Sequence, residues 1–261
     1  MRWYAGTSGY SYKEWKGVFY PEDLPSDEML AYYAGRLPAV EINNTFYRMP
    51  RASVLEHWAA TVPDDFRFVI KAPRRITHQQ RLNDAEEPVG FLVRALDGLN
   101  GKLGAVLFQL PPNLRCDRDR LAAFLDLLPA ELPCAFEFRH PSWHDPAIDE
   151  LLSQRGAALC VAEDESSAVP ERIATTSWLY LRLRKPDYPD AALNQWLGRC
   201  QDTGAESGYV FFKHEDDGAG PAMATRFLEL TRTRTRRAPR SAGSRRKRAP
   251  AVSEASGRSG T

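Results

Sequence analysis

Eight apolar runs of strand length, separated for the most part by amphipathic stretches, constrain this chain more than any other feature. The runs are RWYAGTS (2–8), AVEINNTF (39–46), FRFVIKAP (66–73), GAVLFQLPP (104–112), CAFEFRH (134–140), ALCVAED (158–164), WLYLRLR (178–184) and GYVFFKHED (208–216). Between them SDEMLAYYAGRL, with Ser26 as its expected N-cap, RASVLEHWAATV, VGFLVRALDGL, DRDRLAAFLDLL, AIDELLSQRG and DAALNQWLGRCQ carry apolar residues at helical spacing, and PAMATRFLELTR closes the series. Nearly continuous apolar strands alternating with helices imply a parallel sheet covered on its faces. Eight units in under 250 residues favour a closed α/β architecture, a (β/α)8 TIM-type barrel of parallel strands, over an open doubly wound sheet. The glycines of AGTSGY lack the Gly-x-Gly-x-x-Gly spacing of a dinucleotide site, so no nucleotide cofactor is expected.

In such a barrel the carboxyl ends of the strands build the site, and alternate side chains of a strand point the same way. Glu41 and Asn43 share a face of the second run, Lys71 ends the third, Gln109 ends the fourth and Glu137 and Arg139 share a face of the fifth. Arg182 and Arg184 share a face of the seventh and Lys213 ends the eighth. The polar residues fall late in six of the eight runs, which predicts one polar mouth. Five cations (Lys71, Arg139, Arg182, Arg184, Lys213) against two carboxylates (Glu41, Glu137) predict an anionic ligand bearing phosphate or carboxylate. Glu41 and Glu137 are candidates for a general acid and base, or for partners of the arginines. Lys71 is a candidate point charge for the anion, or a lysine of depressed pKa able to form a Schiff base.

Aromatic residues of GYSYKEWKGVFY, Tyr10 and Trp15 among them, are candidates to stack on a ligand, as is Trp143, or else to pack the core. His78 follows the third strand and suits proton transfer near neutral pH, and His140 follows the fifth. His140, His214, Glu137, Asp164 and Glu215 are the only conceivable metal set. Their spacing matches no metal motif and the neighbouring cations oppose one, so no metal is expected.

Charge is unevenly spread. From Thr231 onward the chain holds ten Arg or Lys and one acid, leaving 25 basic and 33 acidic residues before it. A tail so polar cannot repay its ordering entropy, so residues 1–230 are expected as one barrel domain and 231–261 as a disordered basic extension. Weak, nonspecific nucleic-acid contact is the partner such an arm suggests. No apolar run approaches the ~18 residues of a membrane span and the start lacks a secretory stretch, so no membrane contact and a cytoplasmic location are expected. Cys116, Cys134, Cys160 and Cys200 are far apart and read as reduced, structural thiols.

Taken in order, GTSGYSYKEWKGVFYP, VEINNTFYRMP, FVIKAPRRITHQQRL, LFQLPP, AFEFRHPSW and YLRLRKPDY closely resemble the YecE-like family, domain of unknown function 72, over about residues 2–230. The resemblance implies a (β/α)8-type barrel and an activity not yet assigned. Lys213-His214-Glu215-Asp216 departs from the asparagine-rich ending associated with relatives, which puts any role carried over to that strand end in doubt. Three readings stay open: an enzyme, hydrolase or lyase/isomerase, acting on a small anionic metabolite; a metal-assisted phosphodiester hydrolase; and a noncatalytic anion- or nucleic-acid-binding protein.

Overall fold

A computed structural model of the chain describes residues 1–165, 169–213 and 217–237. All eight expected strands form: β1 (Arg2–Thr7), β2 (Ala39–Ile42), β3 (Arg67–Lys71), β4 (Leu103–Gln109), β5 (Cys134–Glu137), β6 (Ala158–Glu163), β7 (Trp178–Leu183) and β8 (Ser207–Phe212). They make one sheet in the order β1-β8-β7-β6-β5-β4-β3-β2, every pairing parallel. Among the described residues seven α-helices lie against it: α1 (Met29–Ala34), α2 (Ala52–Thr61), α3 (Glu86–Leu96), α4 (Arg118–Leu127), α5 (Pro146–Arg155), α6 (Asp190–Gln201) and α7 (Ala219–Arg237). Among the described residues no α-helix joins β6 to β7. Instead, buried Thr175 ties that connection to β6 by accepting from Leu159 N and donating to Ala157 O.

The barrel closes where β2 meets β1. The two share a single bridge, Ser8 to Glu41, and the hydroxyl of Tyr33 from α1 fills the gap beside it, donating to Ala39 O at 3.0 Å and accepting from Thr7 N at 2.9 Å. Gly6 permits the approach, since a Cβ there would sit 1.9 Å from Ala39 O.

Side-chain parity divides the core in two. Residues such as Ile42, Phe68, Ile70, Phe108, Phe136, Leu181 and Phe212 point outward and pack under the helices. Tyr4, Val69, Ala105, Leu107, Ala135, Cys160, Tyr180, Tyr209 and Phe211 fill the lumen. Each large apolar side chain so buried contributes about 1.5–3 kcal/mol.

Two expectations shift at element ends. Ser26 does not cap α1: a turn in which Glu28 N donates to Pro25 O delays the helix to Met29, with Glu28 at the cap position. The boundary expected at residue 230 falls inside α7, which is held by Phe227 against Trp3 and Phe212 and by Arg226 on Asp190 of α6. The tail beyond 237 lies outside the described residues. None of the four cysteines forms a disulfide, and among the described residues no helix is long and apolar enough to cross a membrane.

Candidate functional site

The lumen changes character at the carboxyl ends of the strands. Above the apolar filling, Glu41 of β2, Gln109 of β4, Glu137 of β5 and Arg182 of β7 point inward and are almost wholly buried. Arg182 crosses the lumen, its Nη2 donating to Glu41 Oε1 at 2.8 Å and its Nη1 to Glu137 Oε2 at 2.5 Å. Glu41 also accepts from Ser8 Oγ, Asn43 Nδ2 and Tyr180 Oη, at 2.9, 3.0 and 2.7 Å. Glu137 accepts from Gln109 Nε2 at 2.8 Å, set by the register that places those residues side by side, and from Arg139 Nε at 3.1 Å.

This network fixes the protonation states. Burial alone would raise both carboxyl pKa values. Arg182, with the other donors, outweighs it, taking Glu41 below its ordinary value and Glu137 down to about 2. Burial likewise opposes the charge of Arg182, and the two carboxylates overcome it, keeping the guanidinium charged. Neither glutamate therefore holds a proton to give at neutral pH. In the structure the candidate acid–base pair is a pair of carboxylates clamped by one arginine, every oxygen accepting a bond, an arrangement that disfavours the acid role.

Among the other cations, Arg139 shares Glu137 with Arg182, while Arg184 and Lys71 make no ion pair among the described residues. Arg139 and Arg184 line a cavity of about 600 Å³ at the ends of β5, β6 and β7, together with Glu137, Cys160, His144 and Asp164. Arg184 makes no ion pair among the described residues, and burial and Arg182 both disfavour its charge. Lys71 Nζ lies over the ring of Phe46, 4.3 Å from its centroid, and forms neither hydrogen bond nor ion pair among the described residues. Burial and then Arg182 lower its pKa to about 8, against the opposing pull of Glu41 and Glu137. His78 packs edge-on to Phe46 at 4.8 Å and binds Thr77 Oγ1 through Nδ1, and burial, Lys71 and Arg139 push its pKa down, favouring neutral imidazole. A second cavity of similar volume lies at the amino ends of the strands, lined by Trp3, Arg36 and Arg232; barrels place chemistry at the opposite end.

The loop carrying His78 is strained. It opens with a π-helical turn at Arg75–Gln79 and continues through Arg81, Leu82 and Asp84 at φ 51°, 72° and 45°, left-handed values that non-glycine residues rarely adopt. Buried Leu82 pins it. Each such residue costs on the order of 1–3 kcal/mol, and strain of this kind collects at functional sites. No residue type in that stretch announces it.

Other expected residues lie apart from this network. Trp15 is wholly buried among Tyr12, Phe19 and Tyr20. Trp143 stacks on Phe138 at 4.7 Å and donates to Leu114 O. His140 caps a short 3-10 turn, its Nδ1 accepting from Ser142 N. Tyr10 is half-buried against Tyr33 and Trp58. Trp15 and Trp143 therefore serve packing, His140 caps a turn, and Tyr10 and His140 keep part of their surface exposed. Lys213 directly follows β8, its N–H donating to Leu183 O, while His214 and Glu215 lie outside the described residues. Among the described residues no group of three His, Cys, Asp or Glu converges as metal ligands would. Sequence reasoning missed Ser8, Phe46 and Tyr180. Parity offered a signal for Ser8, two residues after Gly6, and for Tyr180, two before Arg182.

Comparison with known proteins places the barrel. A family model described as "Protein of unknown function DUF72" matches residues 4–248. The chain is 32% identical over 155 residues to UPF0759 protein YunF of Bacillus subtilis (strain 168), a span covering 56% of this chain and 54% of that one. It is 33% identical over 128 residues to UPF0759 protein YecE of Escherichia coli (strain K12), covering 49% and 47%. The chain thus spans about half the length of the curated relatives it matches. Among solved structures, a DUF72 family protein from Thermotoga maritima MSB8 superposes with a TM-score of 0.79 at 26% identity, covering 89% of this chain and 100% of that one. Another from Enterococcus faecalis V583 reaches 0.71 at 19% identity, over 88% and 98%, and supports the fold alone.

Proposed function

From the premise that the chain belongs to the DUF72 family, which brings a fold and no assigned activity, we propose that the barrel is an enzyme acting on a small phosphate- or carboxylate-bearing ligand at its carboxyl-end mouth. One observation carries this reading. Arg182 and its neighbours saturate both buried carboxylates, so Glu41 and Glu137, with Asp164 on the cavity lining, set three carboxylates against four cations: Arg182, Arg139, Arg184 and Lys71. Lys71 and Arg184, whose charge is disfavoured by burial and by Arg182, are short of a counter-ion, and an incoming anion supplies one. Arg139 and Arg184 line the same cavity and suit the paired oxygens of phosphate or carboxylate, and Lys71, close enough to Arg139 and Arg182 to feel their charge, adds a compact one beside it.

Thermal unfolding in phosphate, sulfate, citrate and sugar phosphates at fixed ionic strength tests this. A ligand at 100 times its Kd adds about 2.7 kcal/mol, or about 5–10 °C for a chain of this size. Arg184→Ala should lose that shift while keeping its anion-free melting temperature within about 2 °C. Equal shifts in wild type and variant, or none in either, would sink the reading.

A further inference from the structure

Lys71 is placed to do more than attract charge. It stands on the inward face at the last position of β3, where Glu41 and Glu137 would be its natural partners. Both are already occupied: every oxygen accepts at least one bond, and Arg182 touches each carboxylate. What Lys71 meets instead is the ring of Phe46, with Arg182 of β7 and Arg139 after β5 as cationic neighbours and His78 packed against the same ring. An amine between cations and an aromatic surface, without a carboxylate to hold its proton, is set up as a nucleophile.

We infer that Lys71 is the reacting amine of this barrel and adds to a carbonyl carbon of the ligand whose anionic group lies on Arg139 and Arg184. The inference rests on the anion reading above and narrows its substrate class to carbonyl-bearing anions, such as 2-oxo acids or phosphorylated aldehydes and ketones. Nζ gives a proton to solvent and attacks the carbonyl carbon, and the C=O electron pair moves to oxygen to form a carbinolamine. The nitrogen gives up a proton, that oxygen takes two protons from solvent, and as it leaves as water the nitrogen lone pair closes the C=N bond, giving the protonated imine. No oxidant, reductant or metal is needed. At pH 7 a lysine titrating near 8 presents about 300-fold more free amine than one at 10.5.

Two measurements test it. The first needs no ligand: trace labelling with acetic anhydride at pH 7, read by peptide mass spectrometry, should modify Lys71 at least about tenfold faster than Lys13, Lys16 or Lys185, because only free amine reacts. Equal rates would overturn the inference. The second incubates the wild type with pyruvate, glyoxylate or glyceraldehyde 3-phosphate and cyanoborohydride. An adduct on the Lys71 peptide, heavier by the compound's mass less one oxygen atom, is expected, together with its loss in Lys71→Arg. That variant keeps the charge and should keep the phosphate-induced thermal shift. A phosphate shift without fast labelling or adduct defeats the amine role and leaves anion binding standing. Fast labelling without any anion shift defeats the anion reading and, with it, the proposed substrate class.

Discussion

Arg182 and Glu41, 141 positions apart in sequence, meet at 2.8 Å inside the barrel lumen with almost no exposed surface between them. The guanidinium also holds Glu137, so one side chain neutralises two carboxylates reached from different strands. Arg182→Met removes the cation and leaves both carboxylates buried without it. The expected loss is about 3–5 kcal/mol in urea unfolding, because an uncompensated buried charge costs far more than the intact pair contributes. Adding Glu41→Gln and Glu137→Gln to Arg182→Met should recover most of that loss. A single variant within about 1 kcal/mol of wild type would show that the clamp is not closed in solution.

Acid should open the same clamp. Glu137 titrates near 2 when folded and near 4.5 otherwise, so the unfolded chain binds more protons in that interval and stability falls as pH drops. The contribution, at most about 3 kcal/mol, is whole above about pH 5 and gone near pH 2. Glu137→Gln should therefore differ from wild type most at neutral pH, with the gap narrowing steadily on acidification. A gap independent of pH would assign the loss to packing instead.

How much of this was written in the sequence follows from which signals are local. Period-two alternation is local, so the strands and the inward parity of Glu41, Lys71, Gln109, Glu137 and Arg182 could be read directly. Which arginine takes both glutamates could not, because Arg139, Arg182 and Arg184 are alike in composition and differ only in depth: Arg182 is enclosed, Arg184 half-buried and Arg139 open. Burial also decided the aromatics. Trp15 and Trp143 sit in loops that look exposed on paper, yet Trp15 packs with Tyr12, Phe19 and Tyr20 of its own loop and Trp143 stacks on Phe138 while reaching back to Leu114 O. The left-handed run at Arg81, Leu82 and Asp84 carries no glycine or asparagine at those positions, so nothing in the chain announces it.

Closure of the barrel rests on a small set of atoms at the seam. Gly6→Ala would bring a Cβ to 1.9 Å from Ala39 O, which only separation of β1 and β2 can relieve. We expect it to prevent folding or to cost more than about 3 kcal/mol. Tyr33→Phe is the milder case: it strips partners from Thr7 N and Ala39 O and should cost about 1–3 kcal/mol. Hydrogen exchange would localise the damage, with amides of β1 and β2 opening before those of β4. Uniform exchange across the sheet would mean that the seam is not its weak point.

Lys71 turns the pH argument around. Its folded pKa, about 8, lies below its unfolded value, so between about pH 8 and 10.5 the unfolded chain carries the extra proton and this lysine makes stability rise with pH. Buried Tyr33 and Tyr180 work the other way, since their raised pKa values withdraw stability only above about pH 10, where unfolded tyrosine ionises. Cys116, Cys134, Cys160 and Cys200, raised above the ordinary thiol value by burial, also withdraw stability within pH 7 to 9.5, so it is the difference between wild type and Lys71→Met, in which they cancel, that isolates Lys71. Lys71→Met, freed of a disfavoured ammonium, should unfold at higher urea than wild type at pH 7, and the two midpoints should converge as pH approaches 9.5. Saturating phosphate should shrink the pH 7 difference, because an anion at the mouth supplies the Lys71 ammonium with a counter-charge. Parallel curves across the whole window, with or without phosphate, would mean that the ammonium is content where it stands and that the cationic mouth lacks no counter-ion.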